Sequence, residues 1–173
     1  MNRLSSYYII LDAAKTHARI AEAKRFNPRH ICLYSGEAEE RLHSVAPWLF
    51  TFRFNSNFAE WYLANGGQQH WGIIFESTAD FKSLYLHLKK FLYVKTEAGK
   101  KLYFRFYDPR VLPTFLETGE PEQLTEFFGP INKFIVELKN SQIMEYSLSE
   151  QEFLEQAKLQ QQPSDLFNQI STL

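Results

Sequence analysis

The sequence predicts an α/β fold with a mixed β-sheet and flanking helices, arranged as one body or as two lobes. Short apolar runs such as YYIILDA (residues 7–13) and WGIIFE (residues 71–76) are typical of strands buried on both faces. Stretches with the periodicity of an amphipathic helix alternate with these runs. A chain of 173 residues is also long enough to bury a sizeable core.

Strand and helix signals alternate through the N-terminal half of the chain. Asp12 closes the first apolar run, which we expect to form a central strand. Asn57 and Gly66 suit the start and the end of a helix. The predicted order is strand 7–13, helix 15–26, strand 30–36, helix 37–45, strand 48–54, helix 57–67 and strand 71–76.

The clearest helix signal covers residues 77–92, where Ser77 and Asp80 resemble a capping box. Residues 92–108 then predict a β-hairpin, with Gly99 in the permissive position of its turn. The helix places its apolar side chains on one face, at Phe81, Leu84, Tyr85, Leu88 and Phe91.

The last third of the chain predicts a helix, a second hairpin and a helical tail. Pro121 suits a helix start, and the following Gly129-Pro130 suits its end. Residues 131–138 and 143–148 are expected to pair around Asn140-Ser141. Ser149 and Glu152 form a capping box that opens a final helix.

These elements predict a domain over residues 1–137 and a helical tail over residues 149–173. Within this division, an N-terminal lobe (residues 1–95) and a smaller C-terminal lobe (residues 96–148) are the alternative to a single body. The apolar spacing of the tail is interrupted before Pro163 and resumes at Leu166, which predicts two short amphipathic pieces.

The stretch KKLYFRFYDPRVLPTF (residues 100–115) combines aromatic and charged residues. Strand alternation predicts that Leu102, Phe104 and Phe106 face the core and that Tyr103, Arg105 and Tyr107 face away from it. Asp108 suits the cap of a turn or of a helix that begins at Pro109. Arg105 and Arg110 flank this carboxylate, and for Arg105 we favour an ion pair within the chain over a ligand contact.

Charge and composition favour a soluble cytoplasmic protein. With 19 Lys and Arg against 20 Asp and Glu, the net charge of −1 favours neither nucleic acid nor an anionic membrane as a partner. The single Cys32 and the lack of an apolar signal run suit a reducing compartment. Aromatic residues make up 16% of the chain, which is consistent with a binding face or with a ring-rich core.

Motifs for catalysis, metals or cofactors are weak in this sequence. His30 and Cys32 share one face of a predicted strand and form the sharpest nucleophile candidate, although a cysteine in an apolar run is more often a buried hydrophobic residue. The five histidines show no metal-ligand spacing, and no phosphate-binding loop or nucleophile elbow is present. We therefore expect no metal and no cofactor.

Several segments in succession resemble the adaptor (chaperone) domain of bacterial type VI secretion systems. They are YIILDAA, CLYSGEAEERLHSVAPWLF, WGIIFESTADFKSLYLHLKKFLYV, KKLYFRFYDPRVLPTFL and EQLTEFFGPI, which lie between Tyr7 and Val136. The resemblance implies a chaperone without enzymatic activity that holds a toxic effector protein, commonly by its N-terminal region. It further implies that this chaperone helps to load the effector onto the secreted spike protein in the bacterial cytoplasm.

The candidate partner-binding residues are Trp71, Tyr103, Arg105, Tyr107 and Arg110. A small cytoplasmic hydrolase that uses Asp108 or the Cys32/His30 pair is the alternative. A single-stranded nucleic-acid binder that stacks bases on Tyr103 and Tyr107 ranks last, because it needs a basic groove.

Overall fold

The computed structural model describes residues 5–139 and 141–159, and within them it contains nine strands. These strands are β1 (Ser6–Asp12), β2 (His30–Cys32), β3 (Pro47–Phe52), β4 (Gly72–Ser77), β5 (Tyr93–Lys95), β6 (Lys101–Tyr103), β7 (Ile131–Glu137), β8 (Ile143–Leu148) and β9 (Leu154–Leu159). Seven of them form one sheet in the order β2-β3-β1-β4-β7-β8-β9, and β5 pairs with β6 in a separate hairpin.

Seven helices accompany the strands in the described part of the chain. They are α1 (Ala13–Thr16), α2 (Arg19–Phe26), α3 (Glu37–Leu42), α4 (Asn57–Gly66), α5 (Phe81–Lys89), α6 (Leu112–Thr118) and α7 (Pro121–Phe128), and a 3₁₀ turn (His43–Val45) follows α3. The predicted helix over residues 15–26 is broken at His17, whose φ of 50° lies in the left-handed region.

The predicted α/β class with flanking helices is confirmed, but the sheet is not mixed as predicted, since every strand pairing among the described residues is antiparallel. β1 lies between β3 and β4, so its apolar run forms a central strand as predicted. Its residues Tyr8, Ile9, Ile10 and Leu11 are all buried, because both faces of the sheet are covered.

Aromatic rings connect the two faces of the sheet to different helices. On one face, Phe50 of β3 stacks on Phe58 of α4 with ring centroids 5.2 Å apart. On the other face, Phe134 of β7 stacks on Phe127 of α7 at 5.4 Å. Such ring pairs contribute stability beyond the area they bury.

Strands from both sides of the predicted lobe boundary belong to one sheet. β4 precedes residues 95–99 in the chain and β7 follows them, yet the two strands are paired through Ile74 and Ile135 and through Phe75 and Phe134. The second predicted hairpin is also part of this sheet, since β7 pairs with β8 from Lys133 to Glu137.

Two predicted helix caps differ from the observed ones by a short distance along the chain. Ser56, not Asn57, caps α4 by accepting a hydrogen bond from the Ala59 N–H. Asp80 alone caps α5, because Ser77 ends β4 and its hydroxyl donates to the Pro130 carbonyl at 2.5 Å. Pro121 begins α7 as predicted, and Gly129 follows it with a φ of 47°.

The predicted strand over residues 102–107 is wrong beyond Tyr103, where β6 ends. The chain then turns, with the Asp108 N–H donating to the Arg105 carbonyl at 3.0 Å. As a result Leu102 is exposed while Phe106 and Tyr107 are both buried, which contradicts the predicted alternation of core and solvent faces.

The predicted helix at Ser149 is also wrong, because this segment is a turn followed by strand β9. The Ser149 N–H donates to the Phe153 carbonyl, the Phe153 N–H donates to the Ser149 hydroxyl, and Glu152 has a left-handed φ of 64°. β9 then pairs with β8 from Leu148 opposite Leu154 to Ile143 opposite Leu159. The second predicted helical piece, which begins after Pro163, lies outside the described residues.

Candidate protein-binding site

The β5–β6 hairpin carries an apolar pair on its surface. Val94 and Leu102 are directly opposite each other on the two strands, and both side chains are exposed. The turn of the hairpin contains Gly99 at a φ of 76°, a conformation that suits glycine, as predicted. Two neighbouring apolar side chains in contact with water form a small patch that another protein could cover.

Four tyrosines connect the hairpin to the rest of the domain, and we call Tyr34, Tyr93, Tyr103 and Tyr107 the tyrosine cluster. Tyr93 and Tyr103 are opposite each other on the hairpin, with ring centroids 4.9 Å apart. Tyr34 packs edge-on against Tyr103 at 5.8 Å, and its hydroxyl lies 3.4 Å from that of Tyr107. Lys101 lies over the Tyr93 ring, with Nζ 3.5 Å from its centroid.

A network of two carboxylates and two guanidinium groups lies beside the tyrosine cluster, and we call it the arginine–aspartate network. Arg105 donates to Asp12 at the end of β1 and lies 3.9 Å from Asp108. Arg110 donates from Nε to Asp108 Oδ1 at 2.9 Å and from Nη2 to Oδ2. The predicted ion pair of Arg105 within the chain is confirmed.

The Asp108 carboxylate also forms the predicted turn cap, because Oδ1 accepts the backbone N–H of Arg110 at 2.9 Å. Helix α6 begins later than predicted, at Leu112. Burial alone would raise the pKa of Asp108, but the hydrogen bonds from Arg110 and the charge of Arg105 outweigh it and hold this pKa below its ordinary value. Asp108 is therefore ionised at neutral pH.

The pKa of Asp12 is shifted in the opposite direction from that of Asp108. Burial raises the pKa of Asp12, even though Arg105 and the Ala14 N–H both stabilise its charged form. Its Oδ1 accepts the Ala14 N–H at 2.9 Å and so caps the short helix α1. The network therefore holds the turn after β6 against the end of the central strand.

Three of the five predicted partner-binding residues reach the surface. Tyr103 is 52% exposed, and the side chains of Arg105 and Arg110 are each 39% exposed. Tyr107 and Trp71 are only 2% and 6% exposed, so the structure corrects the prediction that they face a partner.

Most of the aromatic residues belong to the core, which the ring-rich interpretation of the composition predicted. Trp71 packs against Trp61 with centroids 5.4 Å apart, and Trp48 is buried as well. Tyr103 is therefore exposed, whereas Tyr107 and the three tryptophans are buried. The composition alone could not show where this exposed ring lies.

Sequence reasoning missed several residues of the hairpin and of the tyrosine cluster, namely Tyr34, Tyr93, Val94, Lys101 and Leu102. Strand alternation assigned Leu102 to the core because it placed this residue on the same face as Phe104 and Phe106. A usable signal was present nevertheless, since Val94 and Leu102 are both apolar and lie equally far from Ala98, the centre of the hairpin register.

The Cys32/His30 pair does not have the surroundings of a nucleophile and its base. Burial raises the pKa of the Cys32 thiol to about 11, so the thiol stays protonated at neutral pH. The Nδ1 atom of His30 lies 2.8 Å from the Asn27 carbonyl, and its ring packs on Trp48 and Phe50. Cys32 therefore serves as a small buried hydrophobic residue.

Residues 5–139 and 141–159 contain neither a candidate metal cluster nor a candidate membrane-spanning helix. No group of three His, Cys, Asp or Glu side chains in these ranges could hold a metal ion. No helix there has the length and apolar character needed to cross a membrane.

Comparison with known families gives one match. The model of a family described as "Domain of unknown function (DUF4123)" matches residues 7–126, which include the β5–β6 hairpin and the arginine–aspartate network. No curated protein and no solved structure has significant similarity to the chain.

Proposed function

Since the chain belongs to the DUF4123 family, we propose that it is an adaptor of a bacterial type VI secretion system. It binds an effector protein, by the effector's N-terminal region, and helps to load it onto the secreted spike protein in the cytoplasm. The resemblance of the segments between Tyr7 and Val136 to such adaptors supports the secretion role. A single structural observation supports protein binding: the β5–β6 hairpin exposes the Val94–Leu102 pair on one face and Tyr103 on the other, and two half-exposed arginines follow it in the chain.

The chemistry of this surface fits a protein partner. Tyrosine and arginine are enriched at interfaces, because each gives a large contact area together with hydrogen-bonding groups. Covering the Val94–Leu102 pair contributes roughly 25 cal/mol for each Å² of apolar surface removed from water. Arg105 and Arg110 can bind carboxylates of a partner with the donors that Asp12 and Asp108 leave free.

The tyrosine cluster prepares this surface before a partner arrives. Tyr34 packs against both hairpin rings, at 6.4 Å from Tyr93 and 5.8 Å from Tyr103. Because the hairpin is held by these contacts, binding costs less conformational entropy than the ordering of a free loop would.

The hydrolase alternative draws no support from the surroundings of its candidate residues. Asp108 is held ionised between two arginines, and the Cys32 thiol is held protonated by burial. Base stacking on Tyr107 would require that this buried ring become exposed. The surface therefore favours a protein partner over both alternatives.

Co-purification with the products of neighbouring genes tests the proposed function. The tagged protein is expressed with a neighbouring spike protein and a candidate effector, and the stoichiometry of the purified complex is measured by light scattering. We expect a stable stoichiometric complex with the effector. A protein that forms a complex with none of its genomic neighbours would contradict the proposal.

A matched pair of variants assigns the interaction to the hairpin. The double variant Val94→Ser with Leu102→Ser should weaken the complex, because it removes the exposed apolar pair. Leu86→Ser is the control, since Leu86 is an exposed leucine on α5, outside the hairpin. Equal loss of binding in both variants would argue against a specific role of the hairpin.

A further inference from the structure

A cleft of about 440 Å³ has Arg110 of the arginine–aspartate network among its lining residues. Three segments form it: the loop before β4, the residues that precede and begin α6, and the chain that follows β7. The lining residues are His70, Pro109, Arg110, Pro113, Leu138 and Lys139. A volume of this size lies in the range of sites that bind small ligands or short peptide segments.

The lining of the cleft combines apolar surface with positive charge. Pro109, Pro113 and Leu138 supply the apolar part, and no carboxylate is among the lining residues. Lys139 is exposed, and no carboxylate in the described part of the chain lies within ion-pair distance of it. An occupant with both an aliphatic group and a negative charge would match this lining.

Arg110 is oriented for such an occupant by the arginine–aspartate network. Asp108 engages Nε and Nη2 of Arg110 and so fixes the plane of the guanidinium group. The side chain remains 39% exposed at the cleft, where its other donors can bind an incoming carboxylate. A fixed guanidinium group loses less entropy on binding than a mobile one.

His70 is the third polar residue of the cleft, and its conformation is unusual. Its φ of 54° is left-handed, and Gln68, two residues earlier, has a φ of 59°. The buried Nδ1 atom of His70 has no hydrogen-bond partner. Strained backbone and unpaired buried polar atoms carry a free-energy cost, and proteins retain them preferentially where a ligand binds.

We propose that this cleft binds an acidic, extended segment of the partner protein. A carboxylate of the segment pairs with Arg110 and Lys139, and an adjacent aliphatic side chain packs on Pro109, Pro113 and Leu138. The proposal rests on the proposed function, since it names the chemistry of the effector segment that the adaptor holds. Charge complementarity and the mixed lining select a peptide over a simple anion, which would leave the apolar wall uncovered.

An NMR titration of the whole protein with a defined probe tests the cleft. The probe is the peptide N-acetyl-Ala-Leu-Asp-Glu-Ala-amide, and its neutral counterpart N-acetyl-Ala-Leu-Asn-Gln-Ala-amide is the control. The acidic peptide should shift the amide signals of His70 and Lys139 saturably, and the neutral one should bind at least about twofold more weakly. Sodium phosphate is titrated in parallel as a simple anion.

Lys139→Gln is the main variant, because Lys139 is exposed and takes no part in the arginine–aspartate network. It should weaken the acidic peptide by about two- to fivefold. Lys82→Gln, which removes the same charge from the exposed side of α5, should leave the affinity unchanged. Arg110→Gln should weaken the peptide further.

The possible outcomes test the cleft proposal and the proposed adaptor function separately. Equal affinity for the two peptides, shifts confined to other regions, or phosphate binding as tight as that of the acidic peptide would overturn the cleft proposal. If the effector complex forms and Lys139→Gln leaves it unchanged while the peptide fails to bind, the cleft proposal falls and the adaptor function stands. If the peptide binds as described and no neighbouring protein does, the cleft stands and the adaptor function falls.

Discussion

At the scale of single residues, the Asp108 carboxylate has two structural roles, as a turn cap and as an ion-pair partner of two arginines. It caps the turn at Pro109 through the Arg110 N–H, and it holds the guanidinium groups that flank it. The turn cap was predictable from Asp-Pro in the sequence. The position of Arg105 was not, because its partner Asp12 is 93 residues away in the chain.

Replacing Asp108 should therefore cost more stability than the loss of a turn cap alone. Asp108→Ala should lower the free energy of unfolding by about 2 kcal/mol, because it removes the acceptor of several charge-assisted hydrogen bonds. Asp108→Asn should cost about 1 kcal/mol, since its amide oxygen can still accept the Arg110 N–H. Urea unfolding measures both values, and equal losses for the two variants would argue against a contribution of the charge.

The stability difference between the wild type and Asp108→Asn should also depend on pH. The folded-state pKa of Asp108 lies below its ordinary value of 3.8. Its ionised form therefore contributes stability that is fully present above that value and is lost as the pH falls through the folded-state pKa. Urea unfolding at neutral pH and near pH 3 should show the difference shrinking in acid, and a constant difference would contradict this linkage.

Gly72 is a second residue whose role is set by close packing. A Cβ atom at this position in β4 would lie 1.7 Å from the Ile10 carbonyl oxygen of the neighbouring strand. Gly72→Ala should therefore destabilise the protein by at least about 3 kcal/mol or prevent folding. Gly67→Ala is the control, since its Cβ would lie 3.6 Å from the nearest atom, and thermal unfolding should show little change for it.

At the scale of elements, the signals that succeeded were local and strong. The apolar run of β1 and the amphipathic pattern of α5 each fit only one type of secondary structure that buries their side chains. The segment from Ser149 fits two types of structure, because Ser-x-x-Glu is compatible with a helix start as well as with a turn. Pairing with β8 makes the residues Leu154–Leu159 a strand, although several of them are good helix formers.

The second strand of the β5–β6 hairpin is shorter than predicted, and a long-range contact accounts for this difference as well. Alternation in its sequence continues past Tyr103, but the chain leaves the strand there because Arg105 pairs with Asp12. The hairpin thus depends on the tyrosine cluster for its position instead of on the main sheet.

Substitution of Tyr34 should reveal this dependence. Tyr34→Ala removes the ring that packs on Tyr93 and Tyr103, so it should speed amide hydrogen exchange in the hairpin. Tyr34→Phe should leave exchange nearly unchanged, because it keeps the ring and removes only the 3.4 Å contact between hydroxyl groups. Equally fast exchange in both variants would assign the effect to the hydroxyl group.

At the scale of the whole molecule, one seven-stranded sheet forms the framework of the protein. The β5–β6 hairpin and the cleft are the two surface features to which we assign binding. The seven strands unite the segments before and after residues 95–99, which the sequence could not show because strand order is a long-range property. Arg105 of the arginine–aspartate network closely follows β6 of the hairpin in the chain, and Arg110 of the same network lines the cleft. The proposed adaptor therefore has two candidate binding features, the exposed side chains of the hairpin and the cleft that we propose for an acidic segment.

The central claim is that a protein partner covers the β5–β6 hairpin, and amide hydrogen exchange of the free and effector-bound protein tests it most directly. The account predicts that effector binding slows exchange in residues 93–105, with little change at the edge strand β2. Protection of β2 or α5 together with unchanged exchange in the hairpin would contradict it.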